Sequence, residues 1–155
     1  MAVMKFGGTS VGNARAMQQA IDLVVREKLN GAPLVVLSAC SGITNKLVRL
    51  AEASGRSALD EALLLAGEVR QHHIDLTAEL IQAPELQAEL EAKVEEYVAG
   101  LEMLARGVDI VGELTERSKD TFCSFGELLS TTIFAAAMKE QGHDAEWLDV
   151  RRVMI

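Results

Sequence analysis

Residues 2–37, AVMKFGGTSVGNARAMQQAIDLVVREKLNGAPLVVL, contain two short apolar runs separated by one amphipathic stretch. Ala2 to Phe6 reads as a strand. Gly7-Gly8-Thr9-Ser10 turns it at once into a helix, with Asn13 as predicted N-cap and Met17, Ala20, Ile21, Val24 and Val25 at the spacing of one buried face. Asn30-Gly31 stops that helix. Pro33 opens a second strand, Leu34-Val35-Val36-Leu37, whose unbroken aliphatic run predicts a parallel strand covered on both faces. Strand, crossover helix and strand form the unit from which layered α/β sheets are built.

Further along, Ser38-Ala39-Cys40-Ser41-Gly42 repeats the small-residue turn, and Thr44-Asn45 opens another helix through Leu47, Val48, Leu50 and Ala51. Both strands thus end in small, hydroxyl-rich loops, the place where open α/β sheets hold ligands. From Ser57 to about Arg106 the pattern becomes helical. Ser57 and Asp60 have the spacing of a capping box. The helix that follows breaks at Pro84, and a second presents Leu86, Leu90, Val94, Tyr97, Leu101 and Leu104 on one stripe. The two read as a helical hairpin inserted between sheet elements. Glu85, Glu89, Glu91, Lys93, Glu95 and Glu96 lie largely outside the stripe, as a mostly acidic solvated face or a partner-binding one. Ser118 to Phe125 reads as loop or short helix, Gly126 to Gln141 as a helix, and Ala145 to Val150 as a third strand.

Composition bounds what such a chain does. One hundred and fifty-five residues suffice for one core, since a chain of this size withdraws roughly 70% of its unfolded surface from water. Fifteen Lys and Arg against 23 Asp and Glu give a net charge of −8, the wrong sign for neutralising nucleic-acid phosphates or anionic lipid. No uninterrupted apolar run approaches ~18 residues, so no segment reads as membrane-spanning. MAVMKFGGTS has no basic start or secretory apolar stretch, and the expected location is cytoplasmic. Cys40 and Cys123 have no CxxC spacing, which suits thiols in a reduced compartment. His72 and His73 are adjacent on a helix and are not expected to face one site; His143 lies in a turn. No metal site is expected.

Chemistry concentrates at the two strand ends. Lys5 stands two residues before the Gly7-Gly8 pair, where backbone N–H groups can approach a phosphate without a Cβ in the way and a lysine can supply a mobile charge. The same turn is also common simply as tight packing. GGTSVG lacks the dinucleotide spacing, and no GK[ST] makes it a Walker loop. Ser38, Ser41, Thr44 and Asn45 offer donors to a small anion, although Thr44 serves equally as a helix cap. Glu127, in Ser124-Phe125-Gly126-Glu127, sits in the predicted first turn of a helix, where the dipole alone explains a carboxylate. The alternative is a carboxylate that holds a substrate ammonium.

Taken together, KFGGTSVG at 5–12, VVLSACSGITN at 35–45, SFGELLST at 124–131 and WLDVRRVM at 147–154 resemble the N-terminal part of aspartate kinases, members of the amino-acid kinase family. The four motifs occur in the family's order across the whole chain. The SGITN form at 41–45 is more like the lysine-sensitive or homoserine-dehydrogenase-linked branch, and SFGE departs from the frequent SHGE or STGE. The resemblance implies an α/β three-layer sandwich with a mostly parallel sheet, of which residues 1–155 would be the N-terminal portion carrying a helical hairpin insertion. It implies phosphoryl transfer from ATP, accompanied by Mg²⁺, to the side-chain carboxylate of L-aspartate, giving 4-phospho-L-aspartate for lysine, threonine and methionine synthesis. By carry-over, Lys5 is the catalytic cation, and Lys5, Phe6, Gly7, Gly8 and Ser10 bind phosphate. Ser38, Ala39, Thr44 and Glu127 bind aspartate, Glu127 through the amino group. The family continues with further catalytic segments and ACT regulatory domains, so this stretch alone is expected to be inactive and its parent a homo-oligomer.

Overall fold

A computed structural model describes residues 1–152. Its elements run β1 (Val3–Phe6), α1 (Ala14–Lys28), β2 (Leu34–Leu37), α2 (Ile43–Gly55), α3 (Leu59–Leu80), α4 (Pro84–Val111) and α5 (Glu116–Glu140), with 3₁₀ turns at Gly8–Val11 and Val150–Arg152. The predicted β-α-β unit forms. β1 and β2 pair in parallel, with Val3 opposite Leu34 and Phe6 opposite Leu37. Asn13 caps α1, its Oδ1 accepting the Ala16 N–H at 2.9 Å, and Met17, Ala20, Ile21 and Val24 are buried. Only one sheet face is covered, however: Val3, Lys5, Leu34 and Val36 alternate with inward residues and stay exposed.

The helices form one packed layer. α2 packs against α3, α4 and α5, and a single core runs from Phe6, Leu37 and Ile43 through Leu47, Leu50 and Leu101 to Phe122, Leu129 and Ile133. α3 and α4 form the predicted hairpin. Pro84 occupies the first turn of α4, where its missing N–H costs nothing, and Ala83 before it is extended. From the end of α5, Glu140 Oε1 accepts the N–H groups of Gln82 and Ala83 at 2.9 and 2.7 Å, tying down the hairpin's turn.

Three local expectations fail for identifiable reasons. The Ser57/Asp60 capping box does not form: Ser57 takes a left-handed φ of 59°, Ala58 becomes the N-cap without a side-chain bond, and Asp60 and Glu61 simply occupy the first turn. α5 begins at Glu116, ten residues before the predicted Gly126. Thr115 caps it, and its polar first turns satisfy themselves along the helix, Thr121 Oγ1 donating to Arg117 O at 2.9 Å and Ser124 Oγ to Thr121 O at 2.8 Å. Phe122, in the middle of that stretch, is fully buried.

The third predicted strand, Ala145 to Val150, is not a strand. Its burial alternates with period two, but it joins neither β1 nor β2. It is held against helices instead: Trp147 Nε1 donates to Thr131 Oγ1 at 2.8 Å, and Lys28 Nζ donates to Asp144 O at 2.9 Å. Val153 and Met154 of the fourth motif lie outside the described residues. By length and composition α5 is apolar enough to cross a bilayer, yet half of its most apolar stretch is packed inside the protein, as befits a core helix.

Candidate functional site

Because β1 and β2 are parallel and in register, both loops that follow them leave from the same edge of the sheet. The Ser38 N–H donates to Phe6 O at 3.0 Å and carries the ladder one residue further. Glycines then let the loops touch. A Cβ on Gly8 would stand 2.9 Å from Ala39 O, and one on Gly12 would stand 3.0 Å from Ser41 Cβ. Gly42 follows at φ 79°, a left-handed conformation that disfavours any side chain, and begins α2.

α5 supplies the third wall. Gly126 is mid-helix and buried, and a Cβ there would lie 2.6 Å from Ala39 Cβ and 3.1 Å from Leu47 Cδ1. That close approach brings Glu127 and Ser130, three residues apart and so on one helix face, onto the β2 loop. Glu127 Oε1 accepts the Ala39 N–H at 3.3 Å, and Ser130 Oγ donates to Ser38 O at 2.9 Å. Three segments remote in sequence thus converge on Ser38-Ala39.

Glu127 is therefore not in the first turn of its helix, and the helix dipole does not account for it. It is a half-buried carboxylate with no cationic partner among the described residues. Its charge is also felt at Cys123, whose thiol is pushed up first by burial and then by Glu127 and Asp120. Thr44 does not cap α2: Gly42 occupies the cap position without a side-chain bond, and Thr44 stands exposed in the first turn. At that helix start the Ile43 N–H donates to Cys40 O at 3.0 Å, and the N–H groups of Thr44 and Asn45 are available to an anion. Lys5 and Ser10 are exposed, Gly7 and Gly8 half-buried, and Phe6 is buried, which leaves its backbone as its means of contact. Cys40 is buried between these segments, and burial pushes its thiol up to about 12.

Lys5 projects from the open sheet face, while Ser38, Ala39 and Glu127 meet where α5 crosses the β2 loop. Ser130 was not singled out from sequence, although its place three residues after Glu127 within SFGELLST was the available signal. The sequence pattern places a helix start at Gly126; in the structure it is mid-helix and permits contact.

The sequence profile of the amino acid kinase family matches residues 1–155. The chain belongs to the amino acid kinase family. Among its relatives in that family, aspartokinase 3 of Arabidopsis thaliana is 38% identical over 99% of this chain and 26% of its own length. The lysine-sensitive aspartokinase 3 of Escherichia coli is 34% identical over 99% of this chain and 32% of its own length. Crystal structures of the E. coli aspartokinase III, one with aspartate and ADP and one with lysine and aspartate, each match with a TM-score of 0.86 at 32% identity, covering 99% of this chain and 32% of theirs. This chain therefore spans about a quarter to a third of the length of these relatives, and the fold it shares with them is the amino-acid kinase fold, here a helical layer on a small parallel sheet.

Proposed function

We propose that this chain forms the N-terminal part of the catalytic domain of an aspartate kinase, which transfers the γ-phosphoryl group of ATP to the side-chain carboxylate of L-aspartate. The observation that carries the reading is the convergence at Ala39 of the β2 loop, the glycine turn after β1 and the Glu127 carboxylate. The likeness to a solved aspartokinase bound to aspartate and ADP supports the choice of substrates.

In this reaction an aspartate carboxylate oxygen attacks the γ-phosphorus, the bond to the β–γ bridging oxygen breaks, and ADP leaves with that electron pair. The nucleophile is already an anion, so no base is required; the task is to bring two negative groups into line. Lys5 offsets charge on the transferring phosphoryl group, and Gly7 and Gly8 offer backbone donors beside it, with Phe6 and Ser10 in the same stretch. Ser38, Ala39 and Thr44 cradle aspartate at the start of α2, and Glu127 pairs with its ammonium. Mg²⁺ bound with ATP would neutralise phosphate charge. Both cysteines are free thiols, which accords with a reduced, cytoplasmic setting. Exposed Met103, Ile110 and Val111 along one stripe of α4 support a homo-oligomeric parent.

The test is aspartate- and ATP-dependent acyl phosphate formation, trapped with hydroxylamine. It is expected from the full-length enzyme and not from residues 1–155 alone. Glu127→Gln in the full-length enzyme should raise KM for aspartate by the equivalent of roughly 1.5–3 kcal/mol, the value of a hydrogen bond to a charged group. A change confined to the KM for ATP would overturn the assignment.

A further inference from the structure

Sequence spacing argued that His72 and His73 do not share a site, since adjacent helical residues point about 100° apart. In the structure they converge on a third group. Cys40 Sγ and one ring nitrogen from each of His72 and His73 lie within 4.8 Å of one another, the thiol coming from the β2 loop and the imidazoles from the middle of α3. The two rings stand edge to face, 5.1 Å apart at 78°.

Two ring nitrogens of this cluster lack partners. His73 is fully buried, and its Nδ1 lies 2.7 Å from Val69 O. A carbonyl only accepts, so Nδ1 carries the proton and Nε2 is left with a lone pair. That Nε2, and the Nε2 of half-buried His72, are both buried without a hydrogen-bond partner. Native interiors rarely leave such atoms unsatisfied, because a buried polar atom has given up its water without gaining a partner. Two imidazoles and a thiol within reach of one another form the donor set of a soft to borderline metal ion.

We propose that Cys40, His72 and His73 form a site for a divalent cation of the zinc class, with its remaining position open to water. The Nδ1–H to Val69 carbonyl contact is the outer-shell bond that fixes a ligating imidazole in its tautomer. A tetrahedral ion with bonds of about 2.0–2.3 Å places its ligand atoms roughly 3.3–3.8 Å apart, so the cluster closes by movements of about 1–1.5 Å. Burial holds both imidazoles below the usual histidine range, His73 at about 4, and they are neutral ligands at pH 7.

Access is through a cleft of about 170 Å³ lined by His72, Asn13, Leu76 and the carboxylates of Asp75 and Glu79, which attract a cation. Lys46 opposes it from α2, but its ammonium is paired with Glu68. On binding, the Cys40 S–H bond breaks, a sulfur–metal bond forms, and the proton passes to water. The ion would pin the loop that carries Ala39. The site does not depend on the phosphoryl-transfer reading.

The experiment is calorimetric titration of the metal-free, full-length protein with Zn²⁺ in two buffers of different ionisation enthalpy, paired with Co²⁺ substitution. One equivalent bound, release of a proton and a thiolate-to-cobalt charge-transfer band are expected. Cys40→Ala should abolish that band and weaken binding by more than the ~10–100-fold that losing an outer-shell partner costs. Cys123→Ala should leave both unchanged. His72→Gln, at a half-buried position, carries the imidazole test should His73→Gln fold poorly. Absence of binding at micromolar zinc, a cobalt spectrum without the sulfur band, or undiminished binding in Cys40→Ala would each overturn the proposal.

Discussion

The α3–α4 hairpin and the junction of the strand-end loops with α5 are built on opposite economies of space. Along the hairpin, nothing lies within 4 Å of a Cβ on Gly67 or Gly107, one on Gly100 would only touch the Phe125 ring at 3.4 Å, and contact is made by large side chains such as Val69, Leu76, Val94 and Leu101. At the junction, Gly8, Gly12 and Gly126 are the contact, each allowing backbone or a small side chain to sit where a Cβ would stand. Packing by large side chains tolerates volume-conserving exchange of one apolar residue for another. Packing by absent side chains does not, and it brings backbone N–H and C=O groups close enough for Glu127 and Ser130 to reach. The hairpin is thus a support, and the junction is where chemistry can be held in register.

The contrast breaks most visibly at Lys5. In the full-length enzyme Lys5→Ala should lower kcat by on the order of 10²–10³-fold with aspartate binding largely kept, as for loss of a donor that acts on transition-state charge. Steady-state kinetics with an unchanged kcat would remove Lys5 from the mechanism. The next largest effect is expected from Gly126→Ala, in which overpacking against Ala39 at 2.6 Å outweighs the gain in helix propensity. A net loss of about 1–2 kcal/mol in chemical denaturation is expected, along with weaker aspartate binding. Ser130→Ala removes the bond to Ser38 O and should cost about 0.5–1.5 kcal/mol. The smallest effect has the opposite sign: the same Gly→Ala change at exposed Gly107 in α4 should stabilise by about 0.5–1 kcal/mol. Equal responses at Gly126 and Gly107 would show that the two regions are not built differently.

What was legible in advance follows the same division. The β1-α1-β2 unit could be read because Asn13, the spacing of Met17, Ala20, Ile21 and Val24, and the aliphatic run of β2 are local signals. The hairpin could be read from its apolar stripe and Pro84. The start of α5 could not, since Ser118 to Ser124 is polar by composition and only the burial of Phe122 and the back-bonding of Thr121 and Ser124 make it helical. Ala145 to Val150 has the alternation of a strand, but alternation does not name a partner, and Trp147 found Thr131 on a helix. Of the site residues, Ser38, Ala39 and Glu127 were named from motifs, whereas Ser130 emerged only once α5 was docked.

The sequence by itself determined which segments are strand or helix over most of the chain, which loops carry glycine and hydroxyl groups, and which four motifs tie it to its family. All of these rest on neighbours within a few turns of chain. Only the tertiary structure decided that Glu127 reaches Ala39, that Gly126 is a contact surface, and that Cys40 meets two histidines which spacing had separated. Those facts are made by segments 30 to 90 residues apart, and side-chain reach across a packed interface leaves no periodic trace in the sequence.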